Sequence, residues 1–209
     1  MPDSFWSSNT IDPKRAYRWM LILDHLPAYT IKAAAKPGFV ITNVAHQFMA
    51  HTFNFPGRIT WDNVEVTLID PVSPDSSAKL VKILQASGYA VPGTEAAAKR
   101  SFSKAAATAA LGQPTIQQVD AAGRPVDKWT LKNAWIENVK FGTALNYTTE
   151  DMVDITMSLR FDWAEYEGLD KAGQQVPSLI MGAGPDQDDI IKTYRKQLGA
   201  EIAVVGGDV

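Results

Sequence analysis

The stretch Asp151-Met152-Val153-Asp154-Ile155-Thr156-Met157-Ser158-Leu159-Arg160-Phe161-Asp162-Trp163 decides the fold. Successive side chains of a β-strand point to opposite faces, so residues two apart share a face. Val153, Ile155, Met157, Leu159, Phe161 and Trp163 therefore point one way, and Asp154, Thr156, Ser158, Arg160 and Asp162 the other. This is the pattern of a long antiparallel strand with one buried and one wet face.

A second stretch repeats it. In residues 59–70 (ITWDNVEVTLID), Val64, Val66 and Leu68 alternate with Asn63, Glu65 and Thr67. Tyr17, Trp19, Leu21 and Leu23 fall on one face of a strand at 16–24. Weaker strands are expected at 29–35 and 39–44, separated by Lys36-Pro37-Gly38. Residues 48–55 alternate again, and Pro56-Gly57 is expected to end them with a turn. A hairpin is expected from 115–120 and 125–136 around Ala121-Ala122-Gly123-Arg124.

Residues 74–87 read as a helix, with Ser73 as N-cap, Pro74 in the first position and Gly88 just past the end. Leu80, Val81, Ile83 and Leu84 form its apolar stripe. The Ala-rich stretch 94–111 leaves helix and ordered loop both open, because only Phe102 and Leu111 in it are large and apolar. The expected organisation is an N-terminal arm at 1–15, a mainly β domain of antiparallel strands with one flanking helix at 16–167, and a C-terminal extension at 168–209 with a short helix at 186–198.

The chain has 209 residues, 45% hydrophobic and 21% charged, which is ordinary for a globular protein. Its formal net charge of −3 lacks the basic excess of a generic nucleic-acid binder. It has no cysteine, which excludes disulfides, thiolate metal sites and cysteine nucleophiles. No apolar run approaches the roughly 18 residues of a transmembrane helix, so no membrane partner is expected.

The chemistry of catalysis is not visible. Of the three histidines, His46 and His51 are five apart. On one strand that spacing puts them on opposite faces, where they could not share a metal. Asp186-Gln187-Asp188-Asp189 lacks the glycine and terminal glutamate of a calcium loop and reads as acidic residues at a helix N-terminus. Phosphate-loop, dinucleotide and nucleophile-elbow motifs are absent. The chain is expected to be neither an enzyme nor a holder of any cofactor or metal. A small-molecule-binding β-barrel is the alternative, although the bulky inner face of 151–163 favours a filled core over a lined cavity.

Five segments in order carry a resemblance. These are Ile31-Lys32-Ala33-Ala34-Ala35-Lys36-Pro37-Gly38-Phe39; Phe53 to Leu68, with Trp61-Asp62-Asn63-Val64-Glu65-Val66-Thr67-Leu68 at its end; the helix at 74–87; Trp129 to Val139; and Glu150 to Trp163. Together, over about residues 16–166, they resemble the tail tube proteins of contractile-tailed phages. Tubes of type VI secretion and of phage-like injection particles share that fold. The chain departs from the family's shorter members by its C-terminal extension.

The resemblance implies a small β-barrel or sandwich with a flanking helix. It implies homohexameric rings that stack into a virion tail tube inside a sheath. Its implied partners are other copies of the chain, the sheath, the baseplate and tail terminator proteins, and, transiently in the lumen, tape measure protein and DNA. The implied location is the virion, and the host cytoplasm during assembly. On this reading Asn63, Glu65, Thr67, Asp154, Thr156, Ser158 and Arg160 line the channel. Phe39, Phe48, Met49, Phe53 and Phe55, within a loop or hairpin at 36–58, reach the next ring, because so many apolar residues are too many for a free loop. Ile190, Ile191, Tyr194 and Leu198 would dock the extension on the outer wall.

Overall fold

The computed structural model describes residues 13–142, 145–148 and 150–168. Residues 1–12 of the expected arm, and the whole docking stripe Ile190, Ile191, Tyr194 and Leu198, lie outside the described residues. The described fold is mainly antiparallel β, as the alternation predicts.

Strands β1 (Trp19–Ile22), β6 (Thr115–Val119), β7 (Pro125–Lys132) and β10 (Trp163–Gly168) form one sheet in the order β1-β6-β7-β10. Strands β2 (Ile31–Ala34), β5 (Val64–Ile69), β9 (Asp154–Arg160) and β8 (Trp135–Lys140) form a second in the order β2-β5-β9-β8. Leu21, Ile116, Leu131 and Ala164 of the first sheet and Val66, Leu68, Ile155, Met157 and Leu159 of the second belong to one buried cluster. The two sheets are thus the layers of a sandwich, each contributing its apolar face.

Strands β3 (Phe39–Phe48) and β4 (His51–Trp61) form a separate two-stranded hairpin between β2 and β5. Three α-helices connect β5 to β6, where the sequence predicts one. They are α1 (Ser76–Ala86), α2 (Glu95–Ala98) and α3 (Lys104–Leu111). The open question over 94–111 is settled by two caps within it. Thr94 and Ser103 accept from the backbone of Ala97 and Ala106, so the Ala-rich run splits into two short helices. Leu111 anchors the second in the core at 2% exposure. Helix α1 is capped by Asp75, which accepts from the Ala78 amide, rather than by Ser73. Leu80 and Ile83 are buried, while Val81 and Leu84 stay exposed, so its stripe is only half covered.

Two expected strands are broken where the chain changes sheet. The alternation of 151–163 ends at Arg160; Val153 and Trp163 are exposed rather than inward, and Trp163 begins β10 in the other sheet. The expected arm 125–136 breaks at Asn133 (φ 54), where β7 leaves one sheet and β8 enters the other. The two corners are stitched together. The Asp162 amide donates to the Lys132 carbonyl, and the Asp162 carboxylate accepts from Asn133 Nδ2 at 2.7 Å and Lys104 Nζ at 2.5 Å.

The lysine ammonium first, and the Asn133 amide second, hold the Asp162 carboxyl below the ordinary carboxylate pKa. A carboxyl with a depressed folded-state pKa stabilises fully above its unfolded pKa, and this stabilisation is lost as pH falls through the folded value. In an NMR titration, Lys104→Ala should raise the Asp162 midpoint toward the ordinary value. An unmoved midpoint would show that the ammonium does not set it.

Candidate functional site

The expected channel residues converge. Strands β5 and β9 are neighbours, with Glu65 opposite Ser158 and Thr67 opposite Thr156. Paired residues of an antiparallel ladder share a face. Asn63, Glu65, Thr67, Asp154, Thr156, Ser158 and Arg160 therefore lie together on the outer face of the β2-β5-β9-β8 sheet. Arg160 Nη1 donates to Asn63 Oδ1 at 2.8 Å, and Asn63 in turn donates to Glu137, at the bulge within β8. Lys32 Nζ on β2 reaches Asp154 Oδ2 at 2.6 Å. Lys32, Lys140 and Arg160 balance Glu65, Glu137 and Asp154, so the face carries no net charge. Ser158 is 7% exposed and Thr67 half-buried, so the wet surface is carried by Glu65, Thr156, Asn138 and Lys140.

The opposite sheet also has a polar outer face, with Lys128–Glu167 and Lys132–Glu165 ion pairs. It differs in exposing large apolar side chains, namely Met20, Ile22 and Trp163. Among the described residues, β2 and β8 end one sheet and β1 and β10 the other, each with one side of its backbone ladder unpaired.

The hairpin is the second feature. Every residue from Phe39 to Thr60 is exposed. The expected turn at Pro56-Gly57 is instead interior to β4, and the reversal falls at Met49 (φ 51) and Ala50. Pro56-Gly57 sits at a bulge, where the register slips between Ile41 and Asn43. A Cβ at Gly57 would lie 2.3 Å from Thr42 Oγ1, which accepts from the Arg58 amide there. Proline's missing donor and glycine's missing side chain therefore fit a bulge as well as a turn.

The bulge divides two apolar surfaces on opposite faces of the ribbon. At the root, Phe39, Ile41, Ile59 and Trp61 share a face; Phe39 meets Trp61 edge-on at 5.4 Å, and Trp61 reaches Phe161 in the core at 5.7 Å. Toward the tip the apolar residues change face: Val44 pairs with Phe55, His46 with Phe53, and Phe48 with His51. The other tip face is polar, with Asn43 donating to Asn54 at 2.9 Å. This corrects the expectation for the histidines. His46 and His51 stand on two strands and share one face, but no cluster of three or more metal-ligating side chains occurs among the described residues. Of the expected contact residues, Phe48, Phe53 and Phe55 share the tip face, Met49 is at the turn, and Phe39 belongs to the root.

Two features had no signal in the sequence. One is a groove of about 930 Å³ bordered by α1, α3, β8 and the hairpin root. The other is a buried acid on the inner face of the β1-β6-β7-β10 sheet. Asp127, 1% exposed, is bound by Lys14 and by Lys36, whose Nζ also reaches Gln118 Oε1 at 2.6 Å. These ion pairs fasten residue 14 and the segment between β2 and β3 to the sandwich. Partial burial works against the Lys14 charge, but the hydrogen bond and charge of Asp127 outweigh it and raise the Lys14 pKa.

No protein-family model and no curated protein matches this sequence. Solved structures do. A chain of the anti-feeding prophage baseplate superposes with a TM-score of 0.55 at 10% identity, over 76% of this chain and 97% of that one. A chain of the sheath–tube complex of the extracellular contractile injection system PVC gives 0.54 at 14% identity, over 75% and 93%. A chain of the PVC sheath/tube terminator gives 0.55 at 13%, over 75% and 97%. The chain thus has the phage-tail-tube-like fold found in components of contractile injection particles.

Proposed function

We propose that this chain is a structural tube protein whose homohexameric rings stack into the inner tube of a contractile tail, through which DNA passes to the host. The observation that carries the reading is a polar, uncharged-in-sum sheet face bounded by two open strand edges. Exposed edges invite pairing with another chain. Pairing β8 of one copy with β2 of the next extends the sheet around a ring, and closure removes the edges. The apolar surface of Met20, Ile22 and Trp163 on the opposite sheet then remains for contacts outside the channel.

The chemistry of the face suits a conduit. Duplex DNA carries a charge about every 1.7 Å, and each cation that contacts it adds salt-dependent affinity. A balanced wall lets the polymer slide. Sheath, baseplate, terminator and tape measure proteins are the partners this role requires, and the virion, after assembly in the host cytoplasm, is its place. The same fold serves a secretion or injection particle equally well. The chain's role on either reading is structural, not enzymatic.

Native mass spectrometry of the purified full chain tests the ring; a stable monomer at all concentrations contradicts it. The channel assignment has its own test. Thr156→Lys should make assembled tubes retain short DNA, with log affinity falling against log salt at roughly −0.9 per phosphate contacted. DNA retention unchanged from the wild-type tube would place Thr156 away from the lumen.

A further inference from the structure

We propose that His46 and His51 make the hairpin tip a proton-gated contact, one that holds while both imidazoles are neutral and releases as they take up protons. The inference rests on the reading that copies of the chain assemble with this tip covered. What it adds is the regulation of that contact and the two side chains that exercise it.

The two histidines stand inside an apolar patch. The reversal at Met49 and Ala50 pairs Phe48 with His51; two steps further His46 pairs with Phe53, and two steps further again Val44 pairs with Phe55. Pairs two steps apart share a face, so the imidazoles alternate diagonally with Phe48 and Phe53. Val44, Phe48, Phe53 and Phe55 are each 50–57% exposed, and Met49 at the tip is 88% exposed. Half of the area an aromatic side chain can bury, summed over three phenylalanines and the two aliphatic neighbours, leaves roughly 500 Å² of apolar surface in water. A patch of that size marks an interaction site on a soluble protein. Any surface that covers it also covers the imidazoles set within it.

Histidine is the side chain that ordinarily gains its charge between pH 8 and 5. A neutral imidazole loses only hydrogen bonds to water when it is covered. An imidazolium needs a counter-charge as well, because burying an unpaired ion costs far more. The hairpin offers no counter-charge. Arg58, itself a cation, is the sole Lys, Arg, Asp or Glu between Phe39 and Trp61. It stands at the bulge, seven residues from His51, with its backbone bonded to the Thr42 hydroxyl. The reverse face of the tip carries Asn43, Ala45, Gln47, Thr52 and Asn54, all uncharged. Residues 39–60 are exposed throughout, so among the described residues no other element covers the tip. The imidazoles therefore face no carboxylate of their own chain. Diagonal cross-strand neighbours also lie only about 7–8 Å apart, so a second proton is added against the charge of the first.

Linkage fixes the sign. A contact that requires both imidazoles neutral expels protons as it forms, and it weakens as pH falls. On the acid side of an imidazole's titration, each histidine costs up to about tenfold in affinity per pH unit, and two cost up to about a hundredfold.

The test measures the threshold concentration for tube growth of the full-length chain at about pH 7.5 and about pH 5.5, the two sides of an ordinary imidazole titration, by light scattering and pelleting. The wild-type threshold should rise at least about tenfold across that step. The double variant His46→Gln/His51→Gln keeps neutral polar side chains in the same places, and the ratio of its two thresholds should stay within about twofold. His25→Gln, between Leu23 and Leu26 and outside the hairpin, should keep the wild-type ratio. A pH-stat gives a second reading that needs no variant and decides alone if the double variant does not assemble: wild-type assembly started near pH 6.5 should release protons. A wild-type threshold that stays flat or falls in acid, a double variant with the full wild-type response, or assembly without proton release overturns the gate while the tube reading stands. If no copies assemble at any pH, both fall.

Discussion

Replacing residues 44–55 by a two-residue Asn-Gly turn is expected to abolish tube growth while leaving the sandwich intact. Residues 39–60 are exposed throughout, so the deletion removes no core contact. The stump keeps Phe39, Ile41, Ile59 and Trp61, which anchor the root. The melting temperature should therefore stay close to wild type, since changes away from the core usually shift stability by no more than about 0.5 kcal/mol. Assembly should not survive. At about 25 cal/mol per Å², burial of roughly 500 Å² supplies on the order of 10 kcal/mol gross per contact. Association and ordering costs of some 4–15 kcal/mol take up most of it. A contact so balanced cannot lose its apolar face and persist. Sedimentation and microscopy check the result; tubes of wild-type length from the shortened chain would show that the hairpin takes no part.

The second large effect lies in the core. Leu159 is fully buried and stands between Val64 and Ile136 in the register of β5, β9 and β8. Leu159→Ala removes buried methyl groups and leaves a cavity, at a cost of roughly 2–5 kcal/mol. Against the ~5–15 kcal/mol total of an ordinary domain, that is a large share. At about 2–4 °C per kcal/mol for a chain of this size, the melting temperature should fall by roughly 5–20 °C. Thr156→Ala, on the other face of the same strand, is the control and should change it little. Equal shifts from the two variants would mean that the faces of β9 are not divided as described.

The core was legible because period-two alternation reports burial directly. Val64, Val66 and Leu68, and Ile155, Met157 and Leu159, are where the pattern places them. The ends of the strands were not. Phe161 and Trp163 continue the alternation of 151–159, but the chain crosses between sheets at Asp162, a corner held by Asn133 and Lys104 from distant segments. Asp62-Asn63 hides a similar break between β4 and β5. Pro56-Gly57 reads locally as a turn, and only the hydroxyl of Thr42, fifteen residues before Gly57, identifies a bulge. Caps show the same limit at short range: Ser73 and Asp75 are both competent, and position relative to the first turn selects Asp75.

The candidate site divides in the same way. The seven polar residues of β9, β5 and the position before β5 were identifiable one strand at a time, and the sheet order that unites them follows from the register alone. The hairpin's surplus of exposed phenylalanine was legible from composition. Its change of face was not, because the slip belongs to a pairing of two strands. The groove draws its lining from α1, the segment before α3, β8 and the hairpin root, so no local pattern could announce it. Asp127 looks in sequence like any polar residue of a half-wet strand, and it is buried because Lys14 and Lys36 reach it.

The most direct test of the account is electron cryomicroscopy of assemblies grown from the purified full-length chain, at a resolution that traces strands. The account predicts stacked six-fold rings in which the β2-β5-β9-β8 sheets join edge to edge around a channel, with Glu65, Thr156 and Lys140 facing the lumen. Stacked rings with that face turned outward, or a chain that remains dispersed as monomers, would contradict it.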